Sequence, residues 1–326
     1  MTLHTNGNKI YDENGNKVIL RGVNCSALEW SILRSSRLES CIEHALTQWD
    51  CNVIRLPLSA SAWFGQTSEQ KRYGFTALSY QNRVKRIVSL CAKHKAYIIL
   101  DLHGAGEGER LGGFKNPMPD KISVRFWQSA AEMFCNEENV LFGLFNEPRD
   151  IDARTLMLGG EVVLEGARYE TIGMKPLLDA VRSTGANNIC VIGGTDWAYD
   201  LRPWTSEFAF KDNAGNGIVI DSHIYPWKDT DWEKTVGCAA EDYPVIIGEF
   251  GHYGDDVIPH EAPNKICCDE FFEKLFCFIE KHDLGFLAWD MSQFAGPCLI
   301  KSQMTFEPTE FFGRKFIDFM KKYNGK

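Results

Sequence analysis

Two glutamates carry the first chemical signal in this chain. Glu147 ends the run Leu144-Phe145-Asn146-Glu147 before Pro148, and Glu249 ends Ile247-Gly248-Glu249 before Phe250-Gly251. Both follow apolar stretches, where burying a carboxylate is costly unless it is paired. A structural ion pair explains either one alone. It explains both less well, because other polar groups sit at the ends of similar runs: Arg55 in Val-Ile-Arg-Leu-Pro, His103 after Leu-Asp-Leu, and His223 and Tyr225 in Asp-Ser-His-Ile-Tyr. Trp289 stands at another such end. Cleaving a glycosidic bond needs an acid at the departing oxygen and a second carboxylate across the anomeric carbon. Where configuration is retained, the two lie roughly 5–5.5 Å apart. The neighbours suit that task. Arg55 would keep Glu249 ionised, since a nearby cation favours the anion. Tyr225 would donate to the same carboxylate, the Asn146 amide to a sugar 2-hydroxyl, and Trp289 would offer a pyranose ring an apolar face.

Collecting residues this far apart in the chain demands an architecture that lines up strand ends. Eight short apolar runs read as strands: Val18–Asn24, Val53–Ser59, Tyr97–His103, Val140–Glu147, Asn188–Gly194, Ile218–Tyr225, Val245–Gly251 and Gly285–Met291. Helical periodicity lies between most of them, as in Val84, Ile87, Val88, Cys91, then Trp127, Ala130, Ala131, Phe134, and Phe272, Leu275, Phe276, Ile279. The weakest helix is the one expected in Trp197–Phe208, which Pro203 interrupts. The alternation predicts an α/β chain folded as a (β/α)8 TIM barrel, whose chemistry sits at the C-terminal ends of the strands. An open doubly wound sheet is the alternative. A short β-hairpin turning at Asn14-Gly15 is expected ahead of the barrel. No linker or charge block divides residues 1–326, so they read as a single catalytic domain.

Composition narrows the partners. The formal net charge is −9 and there is no basic run, which disfavours nucleic acid and anionic membrane surfaces. No apolar stretch approaches the ~20 residues of a membrane span. A neutral polymer bound by a monomer is the expectation. Met1-Thr2-Leu3-His4 lacks the features of a secretory signal; a secreted chain without its leader is expected, and an intracellular one stays open. The 11 cysteines, several in apolar stretches (Cys51, Cys135, Cys190, Cys277), read as buried free thiols, although Cys267 or Cys268 would suit a disulfide in a secreted protein. Other chemistries fit less well. The glycine-rich stretch from Gly104 to Gly113 has two acidic residues and no lysine, so it does not read as a phosphate cradle. His103 and His223 are isolated, so no metal site is expected. A non-catalytic sugar-binding barrel would have no need of both glutamates.

These residues resemble glycoside hydrolase family five, the large cellulase-containing family. The likeness runs from Leu20-Arg21-Gly22-Val23-Asn24 to the Trp289 strand, and its most specific element is Asn146-Glu147-Pro148 together with Glu249. The resemblance implies that Glu147 is the acid/base and Glu249 the nucleophile. It assigns supporting roles to Arg55, His103, Asn146, His223, Tyr225 and Trp289, and it implies retention of configuration without a cofactor. A β-1,4-glucan is the first substrate it suggests, with β-mannan, xyloglucan, mixed-linkage and β-1,3-glucan open. Trp30, Trp63, Trp197, Trp204 and Trp227 follow strand ends and are candidate sugar platforms, each with core packing as the alternative.

Overall fold

The computed structural model describes residues 1–26, 28, 37–104, 116–164, 166–255 and 265–323. Eight parallel strands close into a barrel. In chain order they are Arg21–Asn24, Val53–Ser59, Tyr97–Gly104, Val140–Gly143, Cys190–Gly193, Ile218–Ile224, Val245–Phe250 and Gly285–Ala288, called here barrel strands one to eight. All eight expected runs are strands, with shorter ladders at several ends. The fourth stops at Gly143, short of Glu147, but the chain stays knitted to its neighbours: the Asn146 N–H donates to Leu102 O at 3.0 Å.

The two-residue period of a strand explains how one barrel holds both a core and a site. Leu20, Val53, Ile99, Leu141, Val191, Val219, Ile246 and Leu287 pack together as an apolar plug. Two residues further along their strands stand Gly22, Arg55, Asp101, Gly143, Gly193, Asp221, Gly248 and Trp289. Above the plug, therefore, the layer holds three charged groups, four glycines and one tryptophan. The glycines leave the room: a Cβ on Gly248 would collide with the Asp221 carboxylate, and one on Gly143 would press on Asp101. The opposite strand faces pack against the helices in a larger apolar cluster. Helix Ala77–Lys93 buries Val84, Ile87, Val88 and Cys91, and helix Lys121–Phe134 buries Trp127, Ala130, Ala131 and Phe134. Helix Cys268–His282 buries Phe272, Leu275 and Ile279, with Phe276 only partly covered. Thr76 and Asp120 cap the first two with side-chain acceptors for free N–H groups.

Several local expectations are corrected. The ladder of the N-terminal hairpin pairs His4–Asn6 with Lys9–Tyr11 around Gly7-Asn8. Asn14-Gly15 does turn, but it closes only an isolated bridge between Tyr11 and Lys17. No α-helix forms in the 197–208 stretch; a single 3-10 turn, Arg202–Thr205, takes its place, because Pro203 has no N–H to give. Between barrel strands four and five, an antiparallel hairpin pairs Gly159–Leu164 with Ala167–Ile172, an insertion the strand count did not anticipate. Cys51 and Cys190 are buried, but Cys135 is half-buried and Cys277 exposed, because each lies off its helix's apolar face; every cysteine, including Cys267 and Cys268, is a free thiol. The stretch 105–113 and Trp30 lie outside the described residues.

Candidate active site

Arg55 is the hub of the polar layer. It is 1% exposed, and burial opposes its charge, yet Asp101 and Glu249 outweigh that and hold the guanidinium above its usual range. Its Nη1 donates to Glu249 Oε1 at 2.6 Å and to Asn24 Oδ1 at 2.9 Å. Its Nη2 donates to Asn146 Oδ1 at 2.6 Å and lies 3.0 Å from Asp101 Oδ1. A guanidinium only donates, so it sets the Asn146 amide with oxygen inward and Nδ2 left to donate elsewhere.

Glu249 is bonded through both oxygens. Arg55 serves Oε1, and the Tyr225 hydroxyl donates to Oε2 at 2.9 Å. Burial, reinforced by Glu249, pushes the Tyr225 phenol well above its ordinary range, so it stays a donor. Glu147 Oε1 lies 2.9 Å from His223 Nδ1, and the same nitrogen is 3.5 Å from Glu249 Oε2. The register slips by one residue between Ser222 and His223, so that His223 pairs with Glu249; such bulges re-aim side chains near sites. His223 Nε2 is 3.4 Å from Asp221 Oδ2. Burial acts to discharge His223, but Glu249, Asp221 and Glu147 together push it up to about 10. Its Nδ1 lies between the two glutamate side chains.

One carboxylate oxygen from each of Glu147 and Glu249 lies within 4.8 Å of the other and of a His223 nitrogen. Among the described residues this is also the group with spacing that could suit a metal ion. The Glu249 oxygens already accept from Arg55 and Tyr225, and Glu147 Oε1 already meets His223 Nδ1, so the donor set is largely engaged within the protein.

His103 Nδ1 meets Asp101 Oδ2 at 2.8 Å, and its ring lies flat against Trp289, centroids 5.4 Å apart. Burial opposes ionisation of Asp101, but Arg55 and His103 hold its carboxyl below the usual range. Trp289 is half-buried, and its peptide bond to Asp290 is cis. Asp290 is wholly buried and ties strand eight to strand one, accepting from the Ser26 N–H at 3.1 Å and from the Ser26 hydroxyl. Burial raises its carboxyl to about 7 against those bonds.

A family model for cellulase, glycosyl hydrolase family 5, matches residues 11–295. The chain belongs to that family. Endoglucanase E-5 from Thermobifida fusca is 21% identical over 249 residues, 75% of this chain and 47% of that protein. The chain thus spans about half the length of the curated relatives it matches first. A β-glucanase structure from Saccharophagus degradans, 22% identical, superposes with a TM-score of 0.77 over 99% of this chain and 93% of that one. The catalytic domain of the Thermobifida fusca endoglucanase, 17% identical, gives 0.69 over 99% and 97%.

In this family-5 barrel, Arg55, His103, Asn146, Glu147, His223, Tyr225, Glu249 and Trp289 lie in one network of contacts. The tryptophan platforms divide. Trp63 is 0% exposed and packs against Tyr80, Phe126 and Phe134. Trp204 is likewise buried, against Phe210 and Tyr243. Neither can meet a sugar: both point into the layer between sheet and helices. Trp227 is half-buried and stacks on Tyr225, centroids 4.6 Å apart. Trp197 is 37% exposed. Four buried residues of the site had no role assigned from sequence: Asn24, Asp101, Asp221 and Asp290. The signal was present in Asp101-x-His103 and Asp221-x-His223, since residues two apart on a strand share a face.

Proposed function

We propose that this chain is a retaining β-glucanase that cuts within β-1,4-linked glucan, with Glu249 as nucleophile and Glu147 as acid and then base. The spacing of the two carboxylates carries the reading. Oxygens within 4.8 Å of each other match the roughly 5–5.5 Å class and leave no room for the water that inverting enzymes place across roughly 6.5–9.5 Å. Glu249 accepts from two donors, Arg55 and Tyr225, which favours its anion. Glu147 lies nearer the mouth, its side chain 18% exposed against 5% for Glu249, where a leaving group and then water can reach it.

In the first step, Glu249 attacks the anomeric carbon while the bond to the departing oxygen breaks and that oxygen takes the Glu147 proton. In the second, Glu147 takes a proton from water, and the water oxygen displaces Glu249. Two inversions return the β-configuration. The Asn146 Nδ2 donates to the 2-hydroxyl of the sugar bound to Glu249, and Trp289 stacks beneath that ring. A neutral polymer suits the acidic chain, and secretion suits a polymer substrate.

The decisive experiment is trapping with 2,4-dinitrophenyl 2-deoxy-2-fluoro-β-cellobioside, followed by peptide mass mapping. The label is expected on Glu249; a label elsewhere, or none in an enzyme that hydrolyses the unfluorinated substrate, overturns the assignment. Product profiles on carboxymethyl-cellulose, lichenan, glucomannan, xyloglucan and laminarin test the choice of polymer.

A further inference from the structure

The register between barrel strands six and seven counts two residues against one. Ser222 pairs with Ile247 and His223 with Glu249, so Gly248 is passed over. An extra residue falls out of step with the ladder, and a buried amide left without a partner is costly. Side chains from strands six and one serve Gly248. Asp221 Oδ1 accepts from its N–H at 2.7 Å, and Asn24 Nδ2 donates to its carbonyl at 2.8 Å. Asp221 is 4% exposed. It comes this close because residue 248 has no side chain: a Cβ there would collide with the carboxylate.

The second oxygen of Asp221 meets His223. Oδ2 lies 3.4 Å from Nε2, a buried nitrogen with no hydrogen-bond partner among the described residues. That distance is too long for a good hydrogen bond, but charge still decides the state of the nitrogen. In a buried, low-dielectric place a lone pair on Nε2 would be repelled by the carboxylate, whereas an N–H is attracted to it. Across the ring, Nδ1 lies 2.9 Å from Glu147 Oε1 and 3.5 Å from Glu249 Oε2, and the same argument places a proton there. The groups that bear on the imidazole are Glu249, Asp221 and Glu147, with Asp101 also in electrostatic reach. Asp221 addresses Nε2, and the two glutamates address Nδ1.

We propose that Asp221 is a positioning residue of the glycosidase site: it keeps a proton on His223 Nε2, so that the ring presents a second proton, on Nδ1, to Glu147. It acts through His223 rather than on the sugar, and its bond to the Gly248 N–H holds the carboxylate in place. The kinetic consequence rests on the glycosidase reading above; the protonation of the ring does not.

Asp221→Asn separates the two contacts. Asparagine keeps the size and an oxygen for the Gly248 N–H, and so turns an N–H toward Nε2 where the carboxylate stood. Nε2 is then expected to give up its proton, leaving a neutral ring with its one proton on Nδ1. Nitrogen-15 NMR of histidine-labelled protein at neutral pH reads this directly, since a ring nitrogen shifts strongly on losing its proton. The chain has 8 histidines, and comparison with His223→Gln assigns the signal. Wild type is expected to show both nitrogens protonated, and Asp221→Asn only Nδ1. With cellopentaose as substrate, the basic limb of the kcat/KM profile is expected to move about one pH unit upward in Asp221→Asn, because a cation beside the acid no longer favours its anion. The double variant with His223→Gln is expected to match His223→Gln alone, since residues acting through one contact are not additive. A wild-type Nε2 without a proton, a variant ring still protonated at both nitrogens, or shifts that add in the double variant would overturn the inference. If the variant fails to fold, the wild-type spectrum decides. Wild-type protein inert toward cellopentaose would overturn the glycosidase reading, and the spectra would still decide what Asp221 does to His223.

Discussion

Replacing His223 by glutamine tests the electrostatics of the site most directly. His223 Nδ1 lies 2.9 Å from Glu147 and 3.5 Å from Glu249, with Nε2 3.4 Å from Asp221. Burial works against its charge, and the three carboxylates overcome it, so the folded group titrates at about 10 against an ordinary 6.5. A raised folded value stabilises fully below the unfolded value and is lost as pH rises through the folded one. Between these values the folded protein holds one proton that the unfolded chain has released, so stability falls by about 1.4 kcal/mol per pH unit. Across the window from 6.5 to about 10 the loss reaches roughly 5 kcal/mol. Glutamine keeps a donor but carries no charge, so the variant lacks this dependence. Urea unfolding of both proteins at half-unit steps from pH 6 to 10.5 measures it, the difference cancelling cysteines, tyrosines and lysines common to both. Wild-type advantage is expected to be largest near pH 6 and to shrink steadily toward pH 10. Parallel curves would refute the argument and mean that His223 sits neutral between the carboxylates. The same charge state predicts that His223 does not titrate across the working range of the enzyme, so the basic limb of its pH–rate profile below pH 9 belongs to another group.

Glu147→Ala should cripple polysaccharide hydrolysis while sparing glycosylation from an activated aryl glycoside, since a good leaving group departs without a proton; azide should then speed turnover and give the β-glycosyl azide, and formation of the α-azide would exchange the two roles. Asp290 has a folded value of about 7 against an ordinary 3.8, so its own contribution to stability should fall as pH rises from about 4 to 7, by roughly 4 kcal/mol in all. Asp290→Asn should remove that fall, and chemical unfolding at pH 4 and 7.5 showing the same variant-to-wild-type difference would refute it. Treatment with EDTA followed by desalting should leave the rate unchanged; a loss restored by a divalent ion, without a change in melting, would mean that the cluster of Glu147, His223 and Glu249 binds metal.

The chain's periodicities were sufficient for the barrel and for which strand ends carry polar groups. Each strand is a local apolar run with alternating faces, and each helix repeats at its own period, so both are written in neighbouring residues. Glu147 and Glu249 were legible because a carboxylate ending an apolar strand is expensive and short motifs surround both. Tertiary structure alone decided how the charges pair. That Arg55 bonds Glu249, Asn146 and Asn24 at once, or that His223 lies between Glu147 and Glu249, depends on groups brought together from five strands, and on glycines at 143 and 248 that only make sense beside Asp101 and Asp221. It also decided the tryptophans. Trp63, Trp197 and Trp204 each follow a strand end, yet two turn into the layer beneath the helices and one is held outward by a left-handed turn. Residue type and spacing are the same in both outcomes; the direction of the side chain follows backbone torsions and partners distant in the chain, such as Pro148, whose carbonyl accepts from the Trp197 N–H.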